Sequence, residues 1–310
     1  MNPQPHSAAR TPAAAHDWSA DARFFEYTSA ADPIVPKVPF AVFAAREHES
    51  GPTREIVWDL SGHLGTQWPA TAPGLLASFL SLRPNTTLAT SARASSQMFY
   101  VIRGAGTTTT RHGTLAWSRG DLFALPGGEA QHAAREDSAL YAVSDEPLLR
   151  FLGAEPREER FRPTLHSAAA MQQELARVNA EEGAAQRNRN GVLLANAAAP
   201  LTQTLTHSLW SLFNELPAGV VQKPHRHNSV TLDLCIAAAP GVYTMIGDQI
   251  DAEGRIVGGR RMDWLPGAAF TTPPGLWHSH HNESSERALV LPVQDAGLHT
   301  WLRTLDIRFT

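Results

Sequence analysis

The region from Gly219 to Asn282 contains two histidine-rich segments, Lys223-Pro224-His225-Arg226-His227-Asn228 and Pro273-Pro274-Gly275-Leu276-Trp277-His278-Ser279-His280-His281-Asn282. In a β-strand, side chains two residues apart point to the same face, so His225 and His227 can reach one point in space. His278, on a facing strand, would complete a triangle of imidazole nitrogens. Imidazole suits Fe, Zn, Cu and Ni, and three protein ligands leave coordination positions open for a substrate or for oxygen.

The spacing around these histidines resembles the two sequence motifs of the cupin superfamily. Five residues separate Gly219 from His225-Arg226-His227, as in the first motif. The second motif is matched at all of its positions, namely Gly267, Pro273, Gly275, His278 and Asn282. The cupin glutamate four positions after the second histidine is replaced by Thr231. The resemblance therefore implies a metal site made of His225, His227 and His278 without a carboxylate ligand.

Composition and charge limit the classes of function. With 310 residues, 43% of them hydrophobic, the chain is long enough for one large domain or two small ones. A net charge of −4 without a basic stripe argues against nucleic acid as a partner, and no apolar run is long enough to cross a membrane. Cys235 is the only cysteine, which excludes an internal disulfide framework and favours a reducing compartment. We therefore expect a cytoplasmic protein.

Short candidate strands separated by Gly, Pro and Asn turns fill most of the chain after residue 75, which favours an all-β fold. They include Gln203–Leu212 and Arg255–Trp264. The segment from Leu165 to Arg187 differs, because it is rich in residues that favour helices. Its apolar residues recur at helical spacing, and Thr164 or Ser167 could cap its start. We interpret it as a helix that links two β-domains.

The predicted fold class is all-β, with two tandem cupin (double-stranded β-helix, jelly-roll) barrels joined by a helical linker. The predicted segments are a disordered N-terminal tail (1–20), an N-terminal cupin that lacks metal ligands (21–160), the helical linker (161–200) and a C-terminal metal-binding cupin (201–310).

The first barrel resembles a duplicate of the second in which the ligands are lost. When the first cupin motif is aligned with Asn85 to Gly104 and the second with Gly120 to Gln131, other residues occupy the ligand positions, namely Ser91, Arg93, Gln97 and Gln131. His132 is one place away from the third ligand position, and we expect it to point to the opposite face of its strand. The sequence therefore predicts that only the second barrel holds a metal.

The two-barrel organisation, with metal ligands in one barrel only, also resembles the gentisate/salicylate/1-hydroxy-2-naphthoate 1,2-dioxygenase group, although the metal-free barrel comes first here, which reverses the usual order of that group. The likeness is carried by Tyr100–Gly106 and Ser144–Leu149 in the first barrel, and by Pro224–His227, Trp277–His280 and Trp301–Ile307 in the second. The resemblance implies a mononuclear Fe(II), with Mn, Ni or Zn as other candidate metals. It implies a small aromatic acid that chelates the metal through carboxylate and hydroxyl, and O₂ as the second substrate. The ring would open between the carbons bearing those two groups, in a homodimer or homotetramer.

Three positions near the site depart from that group. Asn228-Ser229 follow the histidine pair where the group has Thr-Gln, Asp233 stands where a ring-binding arginine is expected, and Ser279 stands where the group tends to carry Asp. Asp233 would repel a substrate carboxylate, or would pair with an amino substituent or with a nearby arginine. A salicylate that carries an amino, nitro or other ring substituent is therefore a better expectation than gentisate.

Further residues are candidates for roles beside the metal. His280 shares strand parity with His278, so it is either a catalytic proton donor or acceptor or a solvated neighbour. Trp277 is either a wall of an aromatic pocket or a core residue. Arg226 alternates away from the ligands, so it is either a surface residue or a contact to the substrate. Asp233, Trp277 and Arg226 form the candidate substrate-binding set.

Two other classes of function stay open. The missing glutamate leaves room for another metal-dependent cupin enzyme, such as a lyase, an isomerase or a different oxygenase. The metal-free first barrel leaves room for a non-enzymatic protein that binds a small molecule, since a fold alone does not fix a function.

Overall fold

The computed structural model describes residues 17–310, so residues 1–16 of the predicted tail lie outside the described part. Residues 36–310 form one compact unit that carries every strand. The helices are α1 (Tyr27–Ala30), α2 (Arg46–Glu49), α3 (Ser61–Leu64), α4 (Glu146–Leu152), α5 (Ala168–Asn179) and α6 (Ala296–Leu302), with a 3₁₀ turn at Ala184–Gln186. No described helix has the length and apolar character needed to cross a bilayer.

The strands fall into two successive groups. The first group is β1 (Val42–Phe43), β2 (Arg54–Trp58), β3 (Leu76–Leu82), β4 (Thr87–Ala92), β5 (Gln97–Arg103), β6 (Ala105–Thr110), β7 (Gly113–Ser118), β8 (Leu122–Leu125), β9 (Gly128–Ala134), β10 (Ser138–Ser144) and β11 (Thr164–His166). The second group is β12 (Asn190–Leu194), β13 (Trp210–Leu216), β14 (Val221–His227), β15 (Thr231–Ala237), β16 (Val242–Gly247), β17 (Gln249–Ile250), β18 (Ile256–Val257), β19 (Arg260–Asp263), β20 (Ala269–Thr272), β21 (Trp277–Asn282), β22 (Ala288–Gln294) and β23 (Ile307–Phe309).

Most strands of each group build two antiparallel sheets that pack on each other, except that β1 joins a sheet of the second sandwich and β17 and β18 form a separate two-stranded sheet. The first sandwich has the strand orders β11-β8-β5-β10-β3-β2 and β4-β9-β6-β7. The second sandwich has the orders β1-β20-β15-β22-β13-β12 and β19-β16-β21-β14-β23. Strands hold 42% of the residues and helices 14%, so the predicted all-β cupin class is confirmed.

One hydrophobic core is shared by the two sandwiches. Phe79 and Tyr141 from the first sandwich pack in the same cluster as Phe213, Leu232 and Leu291 from the second. Each sandwich also has an inner cluster of its own, around Phe99 and Phe123 in the first and around Trp264 and Phe270 in the second. The predicted domain boundaries at residues 160 and 201 stay a prediction, since the largest hydrophobic cluster contains residues from both sides of them.

The linker helix is shorter than the sequence indicates. α5 spans Ala168–Asn179 instead of Leu165 to Arg187, because Thr164 belongs to β11 and Ser167 caps the helix by accepting from the Ala170 N–H at 3.2 Å. Met171 and Leu175 of its apolar stripe are buried, as expected.

Two strand predictions are wrong in extent. The expected strand Gln203–Leu212 begins only at Trp210, because Thr204 and Thr206 instead bond to neighbouring backbone groups in a buried loop. The expected strand Arg255–Trp264 is divided into β18 and β19 by Gly258, whose φ of +64° breaks the extended backbone.

We expect the shared core to be a main source of stability. Leu232→Ala should lower the free energy of unfolding by about 2–5 kcal/mol, because a fully buried leucine leaves a cavity when it is truncated. Urea unfolding followed by circular dichroism measures this. Leu201→Ala, at a residue that is 70% exposed, is the control and should change the free energy by less than about 0.5 kcal/mol. Equal effects of the two substitutions would contradict the shared core.

Candidate metal centre

Two neighbouring strands of the second sandwich bring the three predicted ligands together. β14 ends with His225 and His227, and β21 carries His278, which pairs with His225 in the antiparallel register. The three side chains point inward and are exposed by only 1%, 4% and 2%. One nitrogen from each ring lies within 4.8 Å of the others. Within residues 17–310, these form the one group of three or more potential ligands with such geometry.

The orientation of each imidazole is fixed by its own strand. Nδ1 of His225 lies 3.3 Å from the Lys223 carbonyl, Nδ1 of His227 lies 2.9 Å from the Ser229 carbonyl, and Nδ1 of His278 lies 3.1 Å from the Leu276 carbonyl. A carbonyl oxygen only accepts hydrogen bonds, so each Nδ1 carries the proton and donates. The Nε2 atoms then carry the lone pairs, which is the arrangement that a metal-bound histidine needs. The lone pair of His225 accepts a hydrogen bond from Arg189.

The environment keeps the three rings neutral. Burial lowers the pKa of His227 to about 4, and burial together with the neighbouring histidines and Arg189 lowers the pKa of His225 and of His278 well below the usual value. A metal ion binds the neutral imidazole, so no proton has to be displaced at neutral pH. Buried neutral rings, unprotonated Nε2 atoms and close spacing therefore fit a divalent transition metal.

Thr231 takes the position of the usual cupin glutamate. Its Oγ1 lies 3.4 Å from Nε2 of His227 and its side chain is buried. A hydroxyl is a weak metal ligand beside a carboxylate, so the protein offers three nitrogens and no charge of its own. The full charge of a bound cation would remain available to an anionic ligand.

Arg189 is a site residue that the sequence did not reveal. It stands just before β12, is partly buried, and its guanidinium donates a hydrogen bond to Nε2 of His225. Burial lowers the pKa of Arg189 to about 10, so the side chain remains a cation at neutral pH. A lone arginine in a linker gives no periodic signal, and only the folded chain brings it from residue 189 to the histidines.

Asp233 points into the same interior from β15. It is 2% exposed, and its Oδ2 accepts a hydrogen bond from Oγ1 of Thr272 at 2.8 Å. Burial raises the pKa of Asp233 to about 7, although the Thr272 hydrogen bond and the charge of Arg189 both oppose the shift. The expected nearby arginine is thus Arg189, which acts on Asp233 through its charge.

His280 also faces inward and is held by a short chain of hydrogen bonds. Trp264 Nε1 donates to Thr244 Oγ1 at 2.7 Å, and Thr244 Oγ1 lies 2.8 Å from Nδ1 of His280. The Thr244 hydroxyl has no other described partner for its proton, so it donates to Nδ1. His280 then carries its own proton on Nε2. Burial lowers the pKa of His280 well below the usual value, which makes it a neutral hydrogen-bond donor.

Arg226 and Trp277 lie on the opposite face of the sheet. Strand alternation turns them away from His225 and His278, and the Arg226 guanidinium stacks on the Trp277 ring with its carbon 4.9 Å from the ring centre. The structure therefore separates them from the interior, and their expected contact with the substrate is not supported. Of the candidate substrate-binding set, only Asp233 faces the site.

The first sandwich repeats this architecture without the ligands. Thr108 pairs with His132 as Thr244 pairs with His280, and Trp117 donates to Thr108 as Trp264 donates to Thr244.

The repeated register shifts the sequence alignment of the first sandwich by one residue. Thr90 pairs with Ala130 in the way that His225 pairs with His278, so these residues, instead of Ser91 and Gln131, occupy the ligand positions. The prediction that His132 points away from the interior is wrong, since the ring is fully buried between Thr90 and Thr108.

Comparisons with known proteins place the fold. The chain superposes on salicylate 1,2-dioxygenase from Pseudaminobacter salicylatoxidans with a TM-score of 0.70 and 16% identity, covering 92% of this chain and 93% of that one. A two-residue deletion mutant of Bacillus subtilis oxalate decarboxylase gives a TM-score of 0.52 and 12% identity, covering 84% and 77%. The expected likeness to the bicupin gentisate/salicylate dioxygenases is confirmed at the level of the fold.

A sequence relative supports the same group over a short region. It is a 5-aminosalicylate 1,2-dioxygenase from Comamonas sp, 33% identical over 85 residues, which is 27% of this chain. The matched part spans 23% of that relative's length. No protein-family model matches the sequence.

The raised pKa of Asp233 predicts that replacing its carboxyl group stabilises the folded protein, by an amount that depends on pH. The folded pKa of about 7 lies above the unfolded value of 3.8, so ionisation destabilises the metal-free protein as the pH rises from 4 towards 8. Asp233→Asn should therefore gain stability over the natural protein, on the order of 4 kcal/mol at most at pH 8 and little at pH 4. Urea unfolding in the presence of a chelator at both pH values measures the difference. A difference that does not change with pH would contradict this assignment.

Proposed function

We propose that this chain is a mononuclear Fe(II)-dependent dioxygenase that opens the ring of a salicylate- or gentisate-type hydroxybenzoate between its carboxyl- and hydroxyl-bearing carbons. The observation that carries the proposal is the triangle of three neutral imidazoles, His225, His227 and His278, in which one nitrogen of each ring lies within 4.8 Å of the others, beside the guanidinium of Arg189. The fold shared with salicylate 1,2-dioxygenase and the short match to 5-aminosalicylate 1,2-dioxygenase support the reaction class.

The metal would be held by the three Nε2 atoms alone. Bound Fe(II) supplies two kinds of chemistry, the chelation of two oxygens of the aromatic acid and the passage of electrons between the ring and O₂. The protein contributes neutral, buried ligands in a sandwich whose own hydrophobic cluster contains Trp264 and Phe270. The exclusion of water strengthens the attraction between charged groups in the site.

Arg189 would bind the carboxylate of the substrate. Its guanidinium donates to Nε2 of His225, the atom assigned to the metal, so on metal binding it would turn from that nitrogen to an anion placed beside the ion. Arginine binds a carboxylate through two parallel hydrogen bonds, which fixes the plane of the acid as well as its position. This contact would set the direction of the ring inside the second sandwich.

His280 would act as a proton donor beside the reacting oxygens. The Trp264–Thr244 chain leaves its proton on Nε2, and its ring centre lies 5.7 Å from that of His278 and 6.0 Å from that of His225. A neutral donor at this place can hydrogen-bond a developing negative charge on oxygen without adding a positive charge to the site.

The metal assignment is tested by substituting one of the three proposed ligands and, as a control, one nearby histidine. Protein purified without oxygen should contain about one iron per chain, and His225→Ala should lower this content at least about tenfold, because loss of one of three ligands removes most of the affinity. The control is His281→Ala on the neighbouring strand β21, whose ring faces outward and stacks on Tyr243 at 4.6 Å. Elemental analysis measures the content, and full retention of iron by His225→Ala would refute the ligand set.

The reaction is tested by oxygen uptake with a panel of hydroxybenzoates. The iron-loaded protein should consume O₂ and bleach the aromatic absorbance of at least one 2-hydroxybenzoate, but not of benzoate, which lacks the second chelating oxygen.

In the same assay, Arg189→Ala should raise KM about 10- to 100-fold, since a charge-assisted pair with the carboxylate is lost. Arg189→Lys should recover part of the loss. Turnover of the substrate in the absence of O₂ would instead indicate a lyase or an isomerase.

A further inference from the structure

The interior of the second sandwich continues beyond the three imidazoles and is polar there. Asp233 follows Thr231 on the same face of β15, and Thr231 lies against His227. Residues two apart in a strand are separated by close to 7 Å. A flat ring whose chelating oxygens lie at the histidines would therefore direct its opposite edge towards Asp233.

This inner region contains hydrogen-bond acceptors that have no donors. The Oδ2 atom of Asp233 accepts from Thr272, but no described group donates to its Oδ1. Asn214 Oδ1 and Gln222 Oε1 are buried and also lack partners. The pairing of Gln222 with His280, and of Asn214 with Val290 opposite Cys235, places both side chains on the inner face.

Unpaired buried acceptors are costly, and each represents a donor that the folded chain does not supply. Gln222 already uses its amide nitrogen to donate to the Glu215 carbonyl at 3.5 Å, which leaves the oxygen as the free atom. A ligand N–H group on this inner face would satisfy one of these acceptors. A carboxylate or nitro group there would add a further acceptor to them.

We propose that Asp233 selects salicylate-type acids that carry an amino group on the ring edge opposite the carboxyl and hydroxyl groups. This inference rests on the function proposed above. Arg189 and Asp233 then recognise opposite ends of one molecule, the cation binding the carboxylate and the anion accepting from the amine. An aromatic amine offers two N–H donors, whereas a hydroxyl offers one and an unsubstituted ring offers none. A hydrogen bond to an ionised carboxylate is also stronger than one to a neutral acceptor.

A simpler role for Asp233 would be to hold Arg189 in place by its charge. That role makes a different prediction, because the carboxylate of every substrate meets Arg189. Removal of Asp233 would then weaken the binding of all hydroxybenzoates by the same factor. If Asp233 recognises the amine directly, its removal would weaken the binding of amino-substituted acids only. The ratio of the affinities for an aminosalicylate and for salicylate therefore separates the two roles.

The experiment uses the zinc-loaded full chain, in which binding can be measured without turnover. Calorimetry compares salicylate with 4-aminosalicylate and 5-aminosalicylate. We expect at least one of the two aminosalicylates to bind at least about tenfold more tightly than salicylate, since a site built for an N–H donor rejects the analogue that lacks it. Asp233→Asn and Asp233→Ala should bring that ratio close to one. Cys235→Ala, at the next inward position of β15, is the matched control and should keep the natural ratio.

The outcomes separate this inference from the function on which it rests. If salicylate binds and is turned over by the iron-loaded chain but neither amino isomer binds more tightly, the role of Asp233 is refuted and the dioxygenase proposal stands. An unchanged ratio in both Asp233 variants, or an equal loss for all three ligands, also refutes it. If none of the three acids binds the zinc-loaded chain or is consumed by the iron-loaded chain, both proposals are wrong.

Discussion

The site depends on a hydrogen bond that each ligand histidine makes with its own strand. In all three cases Nδ1 donates to the backbone carbonyl of a residue two positions away, which holds the ring and leaves Nε2 unprotonated. The carbonyls belong to ordered strands or to the turns that end them, so the donor atoms are oriented before any ion arrives. Burial then keeps the rings neutral, and Arg189 and Asp233 supply the charges that the ligands lack.

The two sandwiches show which part of this arrangement is scaffold and which part is site. The hydrogen-bonded series Trp264–Thr244–His280 has a counterpart in the first sandwich, Trp117–Thr108–His132. Within the described residues, the first sandwich carries no corresponding triangle of histidines. The repeated chain joins the inner faces of neighbouring strands, and this stabilises either sandwich. In the second sandwich, by contrast, the ring centre of His280 lies 6.0 Å from that of His225 and 5.7 Å from that of His278.

Much of the site could be predicted from the sequence because it follows a period of two. His225 and His227 share a face, and Arg226 is turned away from them, for that reason alone. Arg189 could not be found in this way, since it lies outside the strands, just before β12, and meets the histidines only through the fold. The one-residue offset between the alignment and the register of the first sandwich could not be predicted either. In the turn before β9, Gly127 approaches the Ala94 carbonyl so closely that a Cβ would lie 1.6 Å from its oxygen. The spacing of the motif residues alone does not indicate this offset.

The short strand β1 has a consequence for the integrity of the second sandwich. It covers the outer side of β20, and Thr271 ties it there through hydrogen bonds to Pro39 and Ala41. The next residue, Thr272, holds the carboxylate of Asp233. A chain shortened past Phe43 would leave β20 as an open edge whose free backbone groups invite pairing with another molecule. Self-association at that edge would then disturb the strand that orients Asp233, so the arm that precedes the first sandwich protects the interior of the second.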